Sequence, residues 1–197
     1  MEKMNDLKAL LRHCVQELYS VEEQIIEAMP AMIAKAENPS LKQGLEQHLR
    51  VTEQQRERID QVRQMMGADE ESVTKYTGIL ANLFGAGSKC KGIEGLIDEG
   101  QKVMAENLSA DVMDAAIIGG CQKIEHYEIA AYGTARTYAQ QLGLTQVAQL
   151  LQQTLDEEYR ADELLTTLAV SGINQNAEAS SGASGSSGIA SSTSAVI

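Results

Sequence analysis

A chain of 197 residues is long enough for one domain with a substantial core and some excess length. Its 28 acidic against 16 basic residues give a formal charge of −12, which argues against nucleic acid and anionic membrane surfaces as partners and is compatible with cation binding. No run approaches the roughly eighteen apolar residues of a membrane span, and the first residues lead into an amphipathic pattern without the apolar core of a signal peptide. Cys14, Cys90 and Cys121 have no ligand-like spacing, so a soluble protein of a reducing, cytoplasmic compartment is expected.

The first predicted helix runs from about Asn5 to Ala36, with Leu11, Cys14, Leu18, Glu22, Ile25 and Met29 on one stripe. Pro30 lies inside this pattern and is expected to bend the helix rather than end it, because apolar periodicity resumes at Met32 and Ile33. Glu37-Asn38-Pro39-Ser40 reads as a tight turn, with Asn38 or Ser40 as the next cap and Pro39 near the first helical position. The second helix covers about Ser40 to Met66 and turns Leu41, Leu45, His48 or Leu49, Thr52, Ile59 and Val62 inward. So short a turn makes the two helices antiparallel.

From Gly67 to Lys91 the periodicity weakens and glycines accumulate, which reads as a crossover with a short helix near Ser72 to Phe84. A helix follows from about Ile93 to Asn107. Ser109 or Asp111 then caps a long helix reaching Gln141, Gly143 ends it, and Thr145 starts the last helix, which reaches about Val170. Beyond Ser171-Gly172 the composition shifts to serine, glycine and alanine, so residues 171–197 are expected to form a disordered tail behind a bundle domain at 1–170. No β-alternation is sustained, and the expected fold class is all-α.

Several inward faces carry acids where a core residue is expected. Cys121, Glu125, Glu128, Tyr132 and Ala135 share one stripe, so one helical turn brings two carboxylates to a common point. Glu22 interrupts the first helix's stripe while Glu23 points away, and Glu158 and Asp162 share the last helix's stripe with Leu151, Leu155 and Leu165. Glu157 lies about a hundred degrees round, though a slight rotation would exchange it with Glu158. An ionised carboxylate is costly to bury unless it is paired or binds a metal, and acids recurring on several inward faces of a bundle are how carboxylate-bridged metal sites are built. The competing reading is a structural network, with each acid held by Tyr132, an arginine or a lysine. His48 lies near the inner stripe and could offer an imidazole nitrogen; the bland alternative is a hydrogen-bonded core histidine. His126 sits off the Glu125/Glu128 stripe, placed to pair with an acid or line a subunit contact, and His13 reads as exposed.

These residues carry a resemblance. Tyr19-Ser20-Val21-Glu22-Glu23-Gln24, His48-Leu49-Arg50-Val51-Thr52, Glu94-Gly95-Leu96-Ile97, Glu125-His126-Tyr127-Glu128 with the trailing Tyr132-Gly133-Thr134, and Thr154-Leu155-Asp156-Glu157-Glu158 resemble the signature segments of the YciE/YciF-type ferritin-like family over about residues 6 to 170. The resemblance implies a ferritin-like antiparallel four-helix bundle with an additional helix in the crossover. It also implies a bacterial stress-associated protein, often a homodimer. Ferritin-like proteins place glutamates and Glu-x-x-His pairs around two metals. Carried over by position, that pattern falls on Glu22, Glu125, Glu128 and Glu158, with Asp162 within reach. The second helix departs from it: Arg50-Val51-Thr52-Glu53-Gln54-Gln55 holds no Glu-x-x-His, and only His48, or Glu53 in a rotated helix, supplies a candidate ligand. A single metal, a di-metal site and a vestigial acid cluster all stay open.

Two readings follow. In the first, Glu22, His48, Glu125, Glu128, Glu158 and Asp162 hold Fe or Mn, the metals that oxygen-rich donor sets favour over Zn or Cu, in oxidant defence or iron handling. In the second, the inward acids form hydrogen-bonded networks within a structural or interaction bundle. No Ser-His-Asp constellation, phosphate loop or reactive-cysteine setting is visible to support a hydrolase.

Overall fold

A computed structural model describes residues 5–66 and 89–183. Four long helices form two antiparallel hairpins. The first hairpin is α1 (Leu7–Lys35) and α2 (Pro39–Met65); a crossover helix α3 (Lys91–Met104) precedes the second, α4 (Ala110–Gln141) and α5 (Thr145–Leu168). Helix α1 packs on α4 and α2 on α5, while α3 lies against α4 and α1. No strand occurs among the described residues. The short helix expected at Ser72 to Phe84 lies outside them.

The helix ends follow from capping chemistry. The Asp6 carboxylate accepts from Ala9 N at 2.7 Å, Asn38 Oδ1 accepts from Ser40 N and Leu41 N, and Ser109 Oγ accepts from Val112 N, which satisfies amides that have no intrahelical partner. Asn38, rather than Ser40, is therefore the cap of α2, with Pro39 at the start of that helix. Pro30 sits inside a continuous α1. At the end of α4, Gly143 takes φ +69°, so that Leu144 N reaches Ala139 O and Gly143 N reaches Gln140 O. That left-handed turn suits glycine and aims the chain back down the bundle.

The expected boundary at residue 170 does not coincide with the end of the helical region. Helix α5 passes through a widened π-type turn (Ala169–Ile173) into α6 (Asn174–Ala183). Gly172, at φ +152°, supplies a backbone conformation that a side chain would strain. Ile173 is buried, α6 packs on α4, and Ser180 Oγ donates to Asp111 Oδ2 at 2.7 Å. One buried apolar anchor and a permissive turn thus outweigh a composition that reads as unstructured; residues 184–197 lie outside the described part.

The core has two apolar layers. One is formed by Leu11, Val15 and Leu18 with Ile59, Val62, Leu151 and Leu155. The other is formed by Ile25, Met29, Leu41, Leu45, Ile93, Ile117, Ile124 and Leu165. Each fully buried aliphatic side chain contributes roughly 1.5–3 kcal/mol relative to exposure. Between the layers, every long helix turns a polar residue inward at its midpoint: Glu22 between Leu18 and Ile25, Thr52 and Gln55 between Leu45 and Ile59, Glu125 and Glu128 between Ile124 and Tyr132, and Glu158 between Leu155 and Leu165.

Candidate metal centre

The polar layer is the candidate site. Heptad-like spacing places its members: Cys121, Glu125, Glu128, Tyr132 and Ala135 are all buried on one face of α4, as their sequence spacing predicts. Glu22 and Glu158 are 0 % exposed, and Glu125 and Glu128 are 1 % exposed. Four carboxylates thus occupy the dry middle of the bundle.

Their ligand atoms converge as two triads. Atoms of Glu22, Glu128 and Glu158 lie within 4.8 Å of one another, as do atoms of His48, Glu125 and Glu158. Glu158 belongs to both and links them. His48 Nε2 lies 3.2 Å from Glu125 Oε1, and Tyr132 OH donates to Glu22 Oε1. Gln55 Nε2 donates to Glu158 Oε1 at 2.7 Å. Each glutamate nonetheless keeps one buried oxygen with no hydrogen-bond partner: Glu22 Oε2, Glu125 Oε2, Glu128 Oε1 and Glu158 Oε2. In an ionised group such an atom carries an unrepaid desolvation cost, which protonation relieves: a protonated Glu158 shares a hydrogen bond with Glu125.

Glu22, Glu128 and Glu158 hold their protons well beyond the ordinary carboxylate range. Burial, only partly offset by the Tyr132 hydrogen bond, pushes the Glu22 carboxyl up to about 8. Burial and then the charges of Glu22 and Glu125 raise Glu128 well above the carboxylate range; burial and the charges of Glu128, Glu125 and Glu22 do the same to Glu158. For His48, burial disfavours the imidazolium, but the charge and hydrogen bond of Glu125 outweigh it and raise its pKa above the ordinary value. Burial and the Glu22 carboxylate raise the Tyr132 phenol well above its usual range, so it stays a donor.

A guanidinium is nearby, but it serves a different acid. Arg58 clamps Glu157 at 2.8 Å and also donates to Thr154 Oγ1. Glu157, not Glu158, is the glutamate of the pair that takes a cation from its own protein. Asp162 is placed apart from the triads. Gln122 Nε2 donates to it at 3.0 Å, and His126 Nε2 lies 3.3 Å away at the bundle's edge. The expected sixth candidate is therefore an edge partner of His126 and takes no part in the converging set. Glu53 is exposed. Helix α2 contributes His48 and the Gln55 amide, while Thr52 spends its hydroxyl on the His48 carbonyl of its own helix.

Among the buried polar groups that sequence reasoning did not place inward, Gln55 and Asp114 bear on the site. Gln55 falls seven residues after His48, on the inner stripe, and that period was its available signal. Asp114 is buried and accepts from Glu37 N and Asn38 N, tying α4 to the α1–α2 turn. It fixes the two hairpins relative to each other and so supports the register of the site.

Chemically, the donor set is four buried carboxylates and one partly buried imidazole. Clustered carboxylates with a histidine are a set that could bind a metal ion. Two divalent cations would formally balance four carboxylates, and the unpartnered oxygens are where ligand bonds would go.

Comparison with known proteins agrees with this architecture. Residues 6–178 match the family described as a domain of unknown function, DUF892. Protein YciF of Escherichia coli (strain K12) is 39% identical over 175 residues, covering 89% of this chain and 97% of its own length. The crystal structure of the E. coli stress protein YciF superimposes with a TM-score of 0.73 at 37% identity, covering 87% of this chain and 99% of that one. YcfI from Rhodopseudomonas palustris superimposes with a TM-score of 0.74 at 36% identity, covering 84% of this chain and 96% of that one. With the match extending across the whole helical bundle, the chain belongs to the DUF892 family and is a homologue of the stress protein YciF.

Proposed function

We propose that this chain is a ferritin-like non-haem metal-binding protein in which Glu22, His48, Glu125, Glu128 and Glu158 hold Fe(II) or Mn(II). The observation that carries this reading is the set of four buried carboxylates, each with one unpartnered buried oxygen, converging as two triads that share Glu158. An oxygen-rich set with one imidazole suits Mn or Fe rather than Zn or Cu. Description of the relative YciF as a stress protein supports a role in stress or oxidant response. The family resemblance supports a homodimer.

A bound reduced metal would supply electrons for reaction with oxygen or peroxide. The protein's own residues do the rest. Tyr132 and Gln55 each engage one oxygen of a glutamate and leave the other without a partner, which restrains the orientation of the carboxyl group. The two apolar layers exclude bulk water from both sides. Holding a cation would require His48 neutral and would displace its proton together with those of Glu22, Glu128 and Glu158.

The test is metal titration of protein stripped with chelator and then dialysed. Addition of Fe(II) under anaerobic conditions, or of Mn(II), is expected to give about two ions per chain and a higher melting temperature. No retained metal together with an unchanged melting temperature would leave the acids as a hydrogen-bonded structural network.

A further inference from the structure

The His48–Glu125 end of the polar layer is not sealed. A pocket of about 20 Å3 lies between α2 and α5, and its inner wall is formed by His48, Glu125 and Cys121. The remaining wall is Leu and Ala side chains plus Gly44. At its mouth stands Leu164, which is 45% exposed. Helix α2 carries a glycine opposite it. A Cβ on Gly44 would lie 3.5 Å from Leu164 Cδ2 and 3.9 Å from Leu168 Cδ1, so one methyl group would sit in contact and a longer side chain would fill the mouth.

Size and lining select the occupant. A single water needs roughly 10–15 Å3 of such space, so this pocket takes one molecule of two or three heavy atoms. Its walls offer hydrogen bonds only at the inner end, so an ion or a strongly hydrated molecule loses its solvation on the way in. An anion meets carboxylates as well. A small apolar diatomic loses nothing. The second pocket, between α3 and α4, shares Cys121 but is lined otherwise by Met32, Met104 and other apolar groups and does not reach a candidate ligand.

We infer that the pocket between α2 and α5 admits and holds a small uncharged molecule of the dioxygen class at the His48–Glu125 end of the centre, with Gly44 and Leu164 setting its bore. This rests on the metal reading for the purpose of the molecule, but not for its binding. Two variants test it. Gly44→Leu plugs the mouth at a helical position where leucine is favoured over glycine, and Leu164→Ala widens it. The first probe is xenon on the metal-free protein, located by xenon NMR shifts or by anomalous scattering. The second is nitric oxide binding to Fe(II)-loaded protein, followed by stopped flow.

Xenon is expected in the wild-type pocket and absent from Gly44→Leu. Nitric oxide is expected to bind Gly44→Leu about tenfold more slowly at unchanged iron content, and Leu164→Ala at least as fast as wild type. Wild-type protein with no xenon in the pocket, or Gly44→Leu with wild-type xenon occupancy and nitric oxide rate, would overturn the proposal. Should wild-type protein retain no iron, the metal reading falls and the xenon result alone decides the pocket.

Discussion

Glu157 and Glu158 are neighbours on one helix and have opposite fates. Glu157, at the bundle's flank, is clamped by Arg58 and held by Gln55, a protein-internal solution to its charge. Glu158, one residue on, is fully buried among three more glutamates, with an amide, a histidine and a phenol around the layer but no arginine or lysine among its hydrogen-bond partners. A paired acid is what a structural network predicts; an acid layer left short of cations is what a metal site predicts. The same contrast separates the middle of the molecule from the apolar layers above and below. Those layers are filled with leucine, isoleucine and valine and explain why the chain folds. The middle layer buries four acids that the apolar layers do not need, and its clustered carboxylates with a histidine could hold a metal ion.

That contrast can be broken by substitution. The largest effect is expected from Glu158→Gln, which keeps size and shape but removes the carboxylate common to both triads. Metal analysis after Fe(II) or Mn(II) loading should find binding abolished, while the metal-free variant melts no lower than wild type. A metal-free variant that unfolds would show that Glu158 is needed by the fold itself. In the apolar layer, Leu151→Ala should cost about 3 kcal/mol in denaturant unfolding, equally with and without metal. A metal-dependent cost there would mean that the layers are not separate.

A pH series sharpens the same division. Glu22 is raised from 4.5 to about 8 in the folded protein, and Glu128, Glu158 and His48 are also raised. For each of them, the folded state binds its proton more tightly than the unfolded chain. The stability they contribute is therefore complete below their unfolded values and is lost as pH rises, for Glu22 between about 4.5 and about 8. The melting temperature of metal-free protein should fall across that window, whereas the rise produced by added metal should grow, because ligation displaces the same protons. A flat profile would mean that the acids are already ionised and paired. The smallest of these effects is expected for Gln55→Leu. Loss of the amide that orients Glu158 should weaken metal affinity by about tenfold in a competitive titration, with binding retained.

Much of this was legible in the chain because helical period is a strong signal over long segments. The stripes through Leu11–Met29, Cys121–Ala135 and Leu151–Leu165 marked Glu22, Glu125, Glu128 and Glu158 as inward, and all four are buried. His48 sat near a stripe and proved to face Glu125. Asp162 shares the stripe of the buried Glu158 and Leu165, but its carboxylate is engaged at the flank by Gln122 and His126, which helical period alone does not reveal. Gln55 carried no chemical flag, since an amide on an inner face looks like any core hydrogen-bonding group. Helix α6 was hidden by composition, which gives no weight to one buried Ile173 or to a turn at Gly172.

The most direct measurement is an anomalous-difference map from crystals of Fe(II)- or Mn(II)-loaded protein, recorded at the metal's absorption edge. Peaks are expected on either side of Glu158, one against Glu22 and Glu128 and the other against His48 and Glu125. A map without peaks, in which the four carboxyl groups bond only to one another and to ordered water, would contradict the metal centre.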